Sequence, residues 1–295
     1  MIGLRFLALA LAGLLAALPA RAQDTLRVVA SMSVIADMTR AVGGDRVTVT
    51  TLVGPDGDAH VYQPRPSDAR AVAAANALVI NGLGLEGWIA RLTDGVRAHV
   101  VVASDGAHLQ AASGAQNHGA TDPHAWLDLA NGKIYVANIA RGLAAADPAH
   151  AAVYETNAAA YARRLDDLDA RVRATLQRVP PARRKAITTH DAFRYFGAAY
   201  GITFLAPVGL STESEPTAAG MARLMRQMKR EGITALFVET ISDPRLLEQL
   251  ARDAGAVIGG KLYADALSGP DGPAASYVAL FEHNATTLAR GLMGE

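Results

Sequence analysis

The chain has 295 residues, with 28 Lys and Arg balanced by 28 Asp and Glu, and it contains no cysteine. A net charge of zero excludes the basic surface that nucleic acids or anionic membranes require. Without cysteine there is no disulfide framework, no lipid-bearing cysteine and no thiolate ligand, so any bound metal must be held by nitrogen and oxygen.

The first residues have the features of a secretory signal peptide. Arg5 supplies a positive charge, residues 6–18 form an apolar run, and the ARA sequence at 20–22 is a small-x-small cleavage site. Pro19 interrupts the run before it reaches the roughly 20 residues that a membrane-spanning helix needs. We therefore expect cleavage near Ala22 and a soluble protein of the periplasm.

After the signal, short apolar runs alternate with amphipathic segments. The predicted strands and helices are, in chain order, strand 26–30, helix 34–42, strand 47–53, helix 66–75, strand 77–80, helix 86–92 and strand 100–103. This alternation predicts a largely parallel sheet covered by helices. Residues 106–121, which carry His108 and His118, are small and polar, and we expect a mobile surface loop there.

A helix over 131–145 is followed by a much longer one that Asp147 and Pro148 open and that ends before Pro180. Its apolar residues recur at spacings of three and four and define one face: Tyr154, Ala158, Tyr161, Leu165, Leu168, Val172, Leu176 and Val179. At 1.5 Å per residue this helix spans roughly 45 Å, more than the width of one small domain. It is the candidate connection between two lobes.

The alternation then restarts, with strands predicted at 186–189, 203–207, 235–238 and 257–261 and helices at 193–200, 217–231, 244–254 and 276–292. The predicted fold is α/β: two βα lobes with mostly parallel sheets, joined by one long rigid helix, with a metal site in the cleft between the lobes. The predicted divisions are a signal peptide at 1–22, an N-terminal lobe at 23–146, a connecting helix at 147–180 and a C-terminal lobe at 181–295.

Four candidate ligands follow predicted strands, where ligands bind in open parallel sheets. His60 and His124 lie in the first half, and His190 and Asp265 lie in the second. They can meet only between the lobes. Three imidazoles and one carboxylate suit a borderline divalent ion, zinc above all. The neighbouring acids that could accept the other imidazole N–H groups are Asp122, Asp191 and Glu239.

Five segments carry a family resemblance: GPDGDAHVYQPRPSDAR at 54–70, DPHAWLDL at 122–129, THDAFRYFGAAYG at 189–201, VETISDPR at 238–245 and LYADALS at 262–268. Together they resemble the zinc and manganese solute-binding proteins of ABC transporters, the ZnuA/TroA-like family. The resemblance implies a rigid helix between lobes, an ion held at positions matching His60, His124, His190 and Asp265, and docking on a membrane permease. The place of Asp265 depends chiefly on this resemblance, since an Asp there also fits a helix cap.

The same resemblance bears on the metal and on partners. Manganese-selective relatives tend to carry a carboxylate where this chain has His190, so we expect Zn²⁺, with Mn²⁺ as the alternative. Leu129 replaces a usual proline at a helix start, and the 106–121 loop lacks the His-rich run of many zinc-binding relatives. We expect a monomer whose partner is an inner-membrane permease, with a periplasmic metallochaperone as a further candidate.

Two enzyme classes are the alternatives. Residues 81–87 match GxGxxG after a strand, which is a weak signal for a dinucleotide site, and Glu86 would place a carboxylate beside the pyrophosphate. We expect a tight turn that places Trp88 against the core instead. A metal-dependent hydrolase needs an open coordination position, whereas four protein ligands close the site. The histidines at 99, 150 and 283 are expected to be structural or surface residues.

Overall fold

The computed structural model describes residues 25–112, 120–213 and 216–295, so the predicted signal peptide and His118 lie outside the described residues. It contains two four-stranded sheets, with strand orders β2-β1-β3-β4 and β6-β5-β7-β8. Every strand pair in both sheets is parallel. The predicted α/β fold with two parallel-sheet lobes is confirmed.

The first sheet and its helices form the N-terminal lobe. Its elements are β1 (Leu26–Met32), α1 (Ser33–Gly43), β2 (Val47–Val53), α2 (Pro66–Ala74), β3 (Ala77–Ile80), α3 (Ala90–Thr93), β4 (His99–Val102) and α4 (Leu129–Ala146). The predicted helix from residue 86 is wrong in its first turn, since α3 begins only at Ala90. Leu129 starts α4, and Asp128 caps it by accepting the Ala130 N–H at 2.9 Å.

The connecting helix and the C-terminal lobe follow. The elements are α5 (Ala151–Gln177), β5 (Lys185–Ile187), α6 (Arg194–Tyr200), β6 (Thr203–Leu205), α7 (Ala218–Glu231), β7 (Ala235–Glu239), α8 (Arg245–Ala254), β8 (Val257–Leu262) and α9 (Tyr277–Met293). Glycines in the left-handed conformation end α6 and α8, at Gly201 and Gly255, where a side chain would be strained. No helix in the described ranges is long and apolar enough to cross a membrane.

Helix α5 is the predicted connection, and its 27 residues span about 40 Å. Seven of the eight residues of the predicted apolar face lie in α5, Val179 follows its end, and all eight are buried. They pack against α1, α4 and α9, so the helix contacts elements from both halves of the chain. One hydrophobic cluster runs from the N-terminal sheet through α5 to α9, and a smaller cluster lies under α7 and α8. A shared core of this kind favours a stiff frame.

Both sheets have their topological switch at corresponding places, between β1 and β3 and between β5 and β7. Loops that leave the carboxyl ends of adjacent strands in opposite directions open a crevice there. Segments that follow β2 and β4 of the first sheet meet segments that follow β5 and β8 of the second sheet between the lobes.

Close backbone packing between β8 and α9 gives the first testable prediction. A Cβ at Gly259 would lie 2.9 Å from the Gly291 Cα and 2.8 Å from a Phe237 ring carbon. We expect Gly259→Ala to lower the free energy of unfolding by about 1–3 kcal/mol through overpacking, measured by chemical denaturation. Gly87→Ala is the control, because Gly87 is exposed and its Cβ would meet nothing within 4 Å. Equal stability of both variants would contradict the packing argument.

Candidate metal centre

His60, His124, His190 and Asp265 converge between the two lobes, and one ligand atom of each lies within 4.8 Å of the others. Each side chain comes from a different segment: His60 from the loop after β2, His124 from the segment between β4 and α4, His190 from the segment between β5 and α6, and Asp265 from the segment after β8. It is the only group of three or more metal-binding side chains found in the described ranges.

The imidazole Nε2 atoms face a common centre. Nε2 of His124 lies 3.3 Å from Nε2 of His60 and 3.3 Å from Nε2 of His190. The carboxylate of Asp265 lies 3.5 Å from His60, 3.4 Å from His124 and 3.2 Å from His190, each measured to Nε2. Oδ2 of Asp265 faces His60 and His190, and Oδ1 faces His124. Three imidazole nitrogens and one carboxylate thus surround a space of the size that a divalent ion requires.

The Asp265 side chain is completely buried, with a relative solvent exposure of 0%. Beyond the three Nε2 atoms, neither of its oxygens has a hydrogen-bond donor in the described part of the chain. A buried carboxylate without donors is costly unless a cation balances it. The alternative role as a helix cap is wrong, because the next helix is α9 and its cap is Ser276.

The opposite ring nitrogens of two histidines face carboxylates. Nδ1 of His124 lies 2.8 Å from Oδ1 of Asp122, which also accepts the His124 backbone N–H at 2.9 Å. Nδ1 of His190 lies 2.6 Å from Oε2 of Glu239, whose other oxygen accepts the His190 backbone N–H at 2.9 Å. Such carboxylates fix the ring orientation and leave Nε2 as the free electron-pair donor. Of the three acids predicted for this role, Asp122 and Glu239 have these contacts, while the backbone N–H of Asp191 donates to Gly209.

The loop that carries His60 is fixed by residues that the sequence did not reveal. Asp58 accepts the His60 backbone N–H at 2.8 Å with Oδ1, and its Oδ2 accepts the hydroxyl of Thr212 at 2.6 Å from the C-terminal lobe. The indole N–H of Trp88 donates to the Ala59 carbonyl at 2.8 Å. No sequence signal links Asp58 with Thr212 or Trp88 with Ala59, because each of these two pairs joins segments that are distant along the chain.

The segment around Asp265 is held by the N-terminal lobe as well as by its own strand. The indole N–H of Trp126 donates to the Ala264 carbonyl at 3.0 Å. The Leu267 N–H donates to the hydroxyl of Ser33 at 2.9 Å, and the Leu267 carbonyl accepts the Asp56 N–H at 2.9 Å. The segment that carries the carboxylate is therefore held by hydrogen bonds from the N-terminal lobe, although it belongs to the C-terminal half of the chain.

The charges in the cluster shift its protonation. Burial alone would lower the pKa of His190, but the nearby carboxylates of Glu239 and Asp265 outweigh burial and raise that pKa well above its ordinary value. Burial alone would raise the pKa of Asp265, but His190 and His124 hold it well below the usual range. Both pKa shifts favour a protonated His190 beside an ionised Asp265 when no cation balances the carboxylates.

Two backbone donors of the GxGxxG segment are already occupied by a side chain. The Glu86 carboxylate accepts the backbone N–H groups of Asn81 at 2.6 Å and Gly82 at 3.1 Å, which are the donors that a phosphate would use. Burial raises the pKa of Glu86. The turn has positive φ at residues 82, 83 and 84, and Trp88 is buried against the core as predicted. The motif is a structural turn.

The remaining described histidines lie apart from the cluster. His99 is exposed on β4, and a ring nitrogen of His283 lies 2.9 Å from the Lys261 carbonyl oxygen. His150 and Asp147 form a contact of 2.7 Å at the start of α5. The backbone of His108 exchanges hydrogen bonds with the Asn131 amide, so the start of the 106–121 segment is fixed to α4.

The fold and this cluster define a metal-binding protein of the two-lobed, parallel-sheet type. The family described as zinc-uptake complex component A, periplasmic, matches residues 28–291. The chain belongs to this family of substrate-binding components of metal ABC transporters, which are not enzymes.

Individual relatives are named for different metals. An iron ABC transporter substrate-binding lipoprotein, MtsA of Streptococcus pyogenes serotype M1, is 33% identical over 91% of this chain and 89% of its own. The manganese ABC transporter substrate-binding lipoprotein PsaA of Streptococcus pneumoniae is 31% identical over the same shares. The periplasmic zinc-binding protein TroA of Treponema pallidum superimposes with a TM-score of 0.85 at 30% identity, over 91% of this chain and 99% of that one.

The protonation of the cluster gives the second prediction. In the metal-free protein, the His190 imidazole should remain protonated above the ordinary histidine range, as followed by NMR of labelled imidazole nitrogens. Glu239→Gln should lower the pKa of His190, because one of the two carboxylates that oppose burial loses its charge. Glu248→Gln on the exposed face of α8 is the control. An unchanged His190 pKa in Glu239→Gln would refute this electrostatic account.

Proposed function

We propose that the protein captures Zn²⁺ in the periplasm with His60, His124, His190 and Asp265 and delivers the ion to the permease of an ABC transporter. The observation that carries the proposal is the enclosed arrangement of three Nε2 atoms around the Asp265 carboxylate, which has no other donor in the described residues. Four protein ligands close a tetrahedral site, as binding without catalysis requires.

The donor set supports zinc as the ion. Imidazole suits zinc, whereas manganese prefers more oxygen ligands and higher coordination numbers. The relevant position is His190, whose ring is oriented by Glu239 at 2.6 Å. Manganese is the second candidate, because PsaA is named for that metal and is 31% identical to this chain. We also propose that the protein is located in the periplasm and is a monomer.

The frame constrains how an ion enters and leaves. We propose that the segment 147–180, of which Ala151–Gln177 is helix α5, joins lobes at 23–146 and 181–295. The continuous core favours small lobe motions. His124 and His190 are fully buried, whereas the His60 side chain retains 5% exposure. We propose that release begins with a rearrangement of the loop that carries His60, and that docking on the permease, or loading by a metallochaperone, acts there.

Metal content tests the ligand set. Wild-type protein isolated without a tag from the periplasm should contain one zinc per chain by mass spectrometry. His190→Ala should lose the zinc, since removal of a ligand exceeds the roughly 10- to 100-fold cost of removing an outer partner. His99→Ala is the matched control, because His99 is exposed and distant from the cluster. Manganese retained by His190→Ala would overturn the ligand assignment.

Binding should also depend on pH. Zinc requires a neutral His190, and the raised pKa of this residue in the metal-free protein means that zinc displaces a proton at and below neutral pH. The affinity should therefore fall as pH is lowered from 8 to 5, by about tenfold per pH unit for each proton displaced. Competition with a chelator at each pH measures this dependence. A constant affinity across the range would exclude a histidine-rich site.

A further inference from the structure

Tyr195, in the first turn of α6, has its hydroxyl inserted between two backbone segments of the N-terminal lobe. The hydroxyl accepts the Gln110 N–H at 2.9 Å and donates to the Asp122 carbonyl at 2.9 Å. The side chain is buried, with 1% relative exposure. A tyrosine hydroxyl can donate and accept at once, and this one does both within the same contact.

These two backbone segments pair with each other as the base of a hairpin. The Asp122 N–H donates to the Gln110 carbonyl at 3.0 Å, the Ala112 N–H donates to the Ala120 carbonyl at 2.9 Å, and residues 111 and 121 form an antiparallel bridge. A regular antiparallel pair would exchange a second hydrogen bond, from the Gln110 N–H to the Asp122 carbonyl. The hydroxyl of Tyr195 replaces that bond and holds both strands of the hairpin base.

The Asp122 backbone is directly connected to a candidate metal ligand. The Asp122 carboxylate contacts Nδ1 of His124 at 2.8 Å and accepts the His124 N–H at 2.9 Å, so the backbone of Asp122 determines where this carboxylate and the imidazole point. The next carbonyl, of Pro123, accepts from the side chain of Asn81 at 3.1 Å within the N-terminal lobe. Tyr195 donates to the neighbouring carbonyl, that of Asp122, from the C-terminal lobe.

The same short segment of the C-terminal lobe also carries His190, five residues before Tyr195. A displacement of this segment therefore moves one imidazole directly and the other through Asp122. We propose that Tyr195 is a positioning residue for metal binding: its hydroxyl couples the segments bearing His190 and His124, so that both imidazoles reach the ion in one geometry. This inference depends on the proposed metal site.

The test compares two hydroxyl deletions on the same helix. Tyr195→Phe removes the coupling hydroxyl and keeps the ring. Tyr200→Phe is the matched control, because its hydroxyl is also buried against a partner, Asp169 at 3.0 Å, but lies outside the metal centre. Each purified variant is examined for zinc affinity, for the rate of zinc release to a chelator, for the visible absorption spectrum after loading with Co²⁺, and for thermal stability without metal.

We expect both variants to lose some thermal stability, because each loses a buried hydrogen bond. Only Tyr195→Phe should bind zinc about tenfold more weakly, release it faster and shift the Co²⁺ spectrum, which reports ligand geometry. Wild-type affinity and spectrum in Tyr195→Phe, or equal changes in both variants, would overturn the inference. Wild-type protein that holds neither zinc nor cobalt would instead overturn the proposed metal site.

Discussion

The structure depends on the burial of the Asp265 carboxylate among three imidazoles. A charged group removed from water in this way is stable only if opposite charge or hydrogen-bond donors replace the lost hydration. Two further buried carboxylates, Asp122 and Glu239, face the outer sides of the same imidazoles. Arg194 offsets part of the negative charge, with its Nε 3.9 Å from Oδ2 of Asp122. The remaining excess of the three acids over three neutral rings must be balanced by protons or by a cation. Without a metal, the carboxylates raise the pKa of His190, so that a proton on this imidazole offsets part of their charge.

Contacts from the surrounding segments hold these side chains in place and restrict the motion of the loops that carry them. Asp265 is located by contacts from Trp126 and Ser33, and the His60 loop is tied to Thr212 across the cleft. A preorganised site loses little conformational freedom when the ion binds, which favours affinity. The same rigidity makes release difficult, so the least enclosed ligand, His60, is where a small local change has the largest effect.

Much of this architecture could be predicted from sequence, because it is encoded locally. The strand β2 has the predicted bounds, the long amphipathic helix buries the predicted face, and strand-end histidines were recognised because parallel sheets place ligands there. The prediction of a helix beginning at Glu86 was wrong in its first turn, because the Glu86 carboxylate accepts the backbone N–H of Asn81 instead. The contacts of Trp88, Thr212 and Tyr195 could not be predicted, since each links segments whose proximity arises only from the folded topology.

Metal choice is a property of the donor set rather than of the fold. Relatives about 30% identical to this chain, with essentially the same extent, are named for iron, manganese and zinc. A shared frame therefore does not specify the ion, and function must be argued from the site. In this chain the proposal of zinc depends on His190, an imidazole whose Nδ1 lies 2.6 Å from Glu239, because nitrogen donors suit zinc and extra hard oxygens suit manganese. Glu239 belongs to the same proposal, because a carboxylate beside Nδ1 turns Nε2 of His190 toward the common centre.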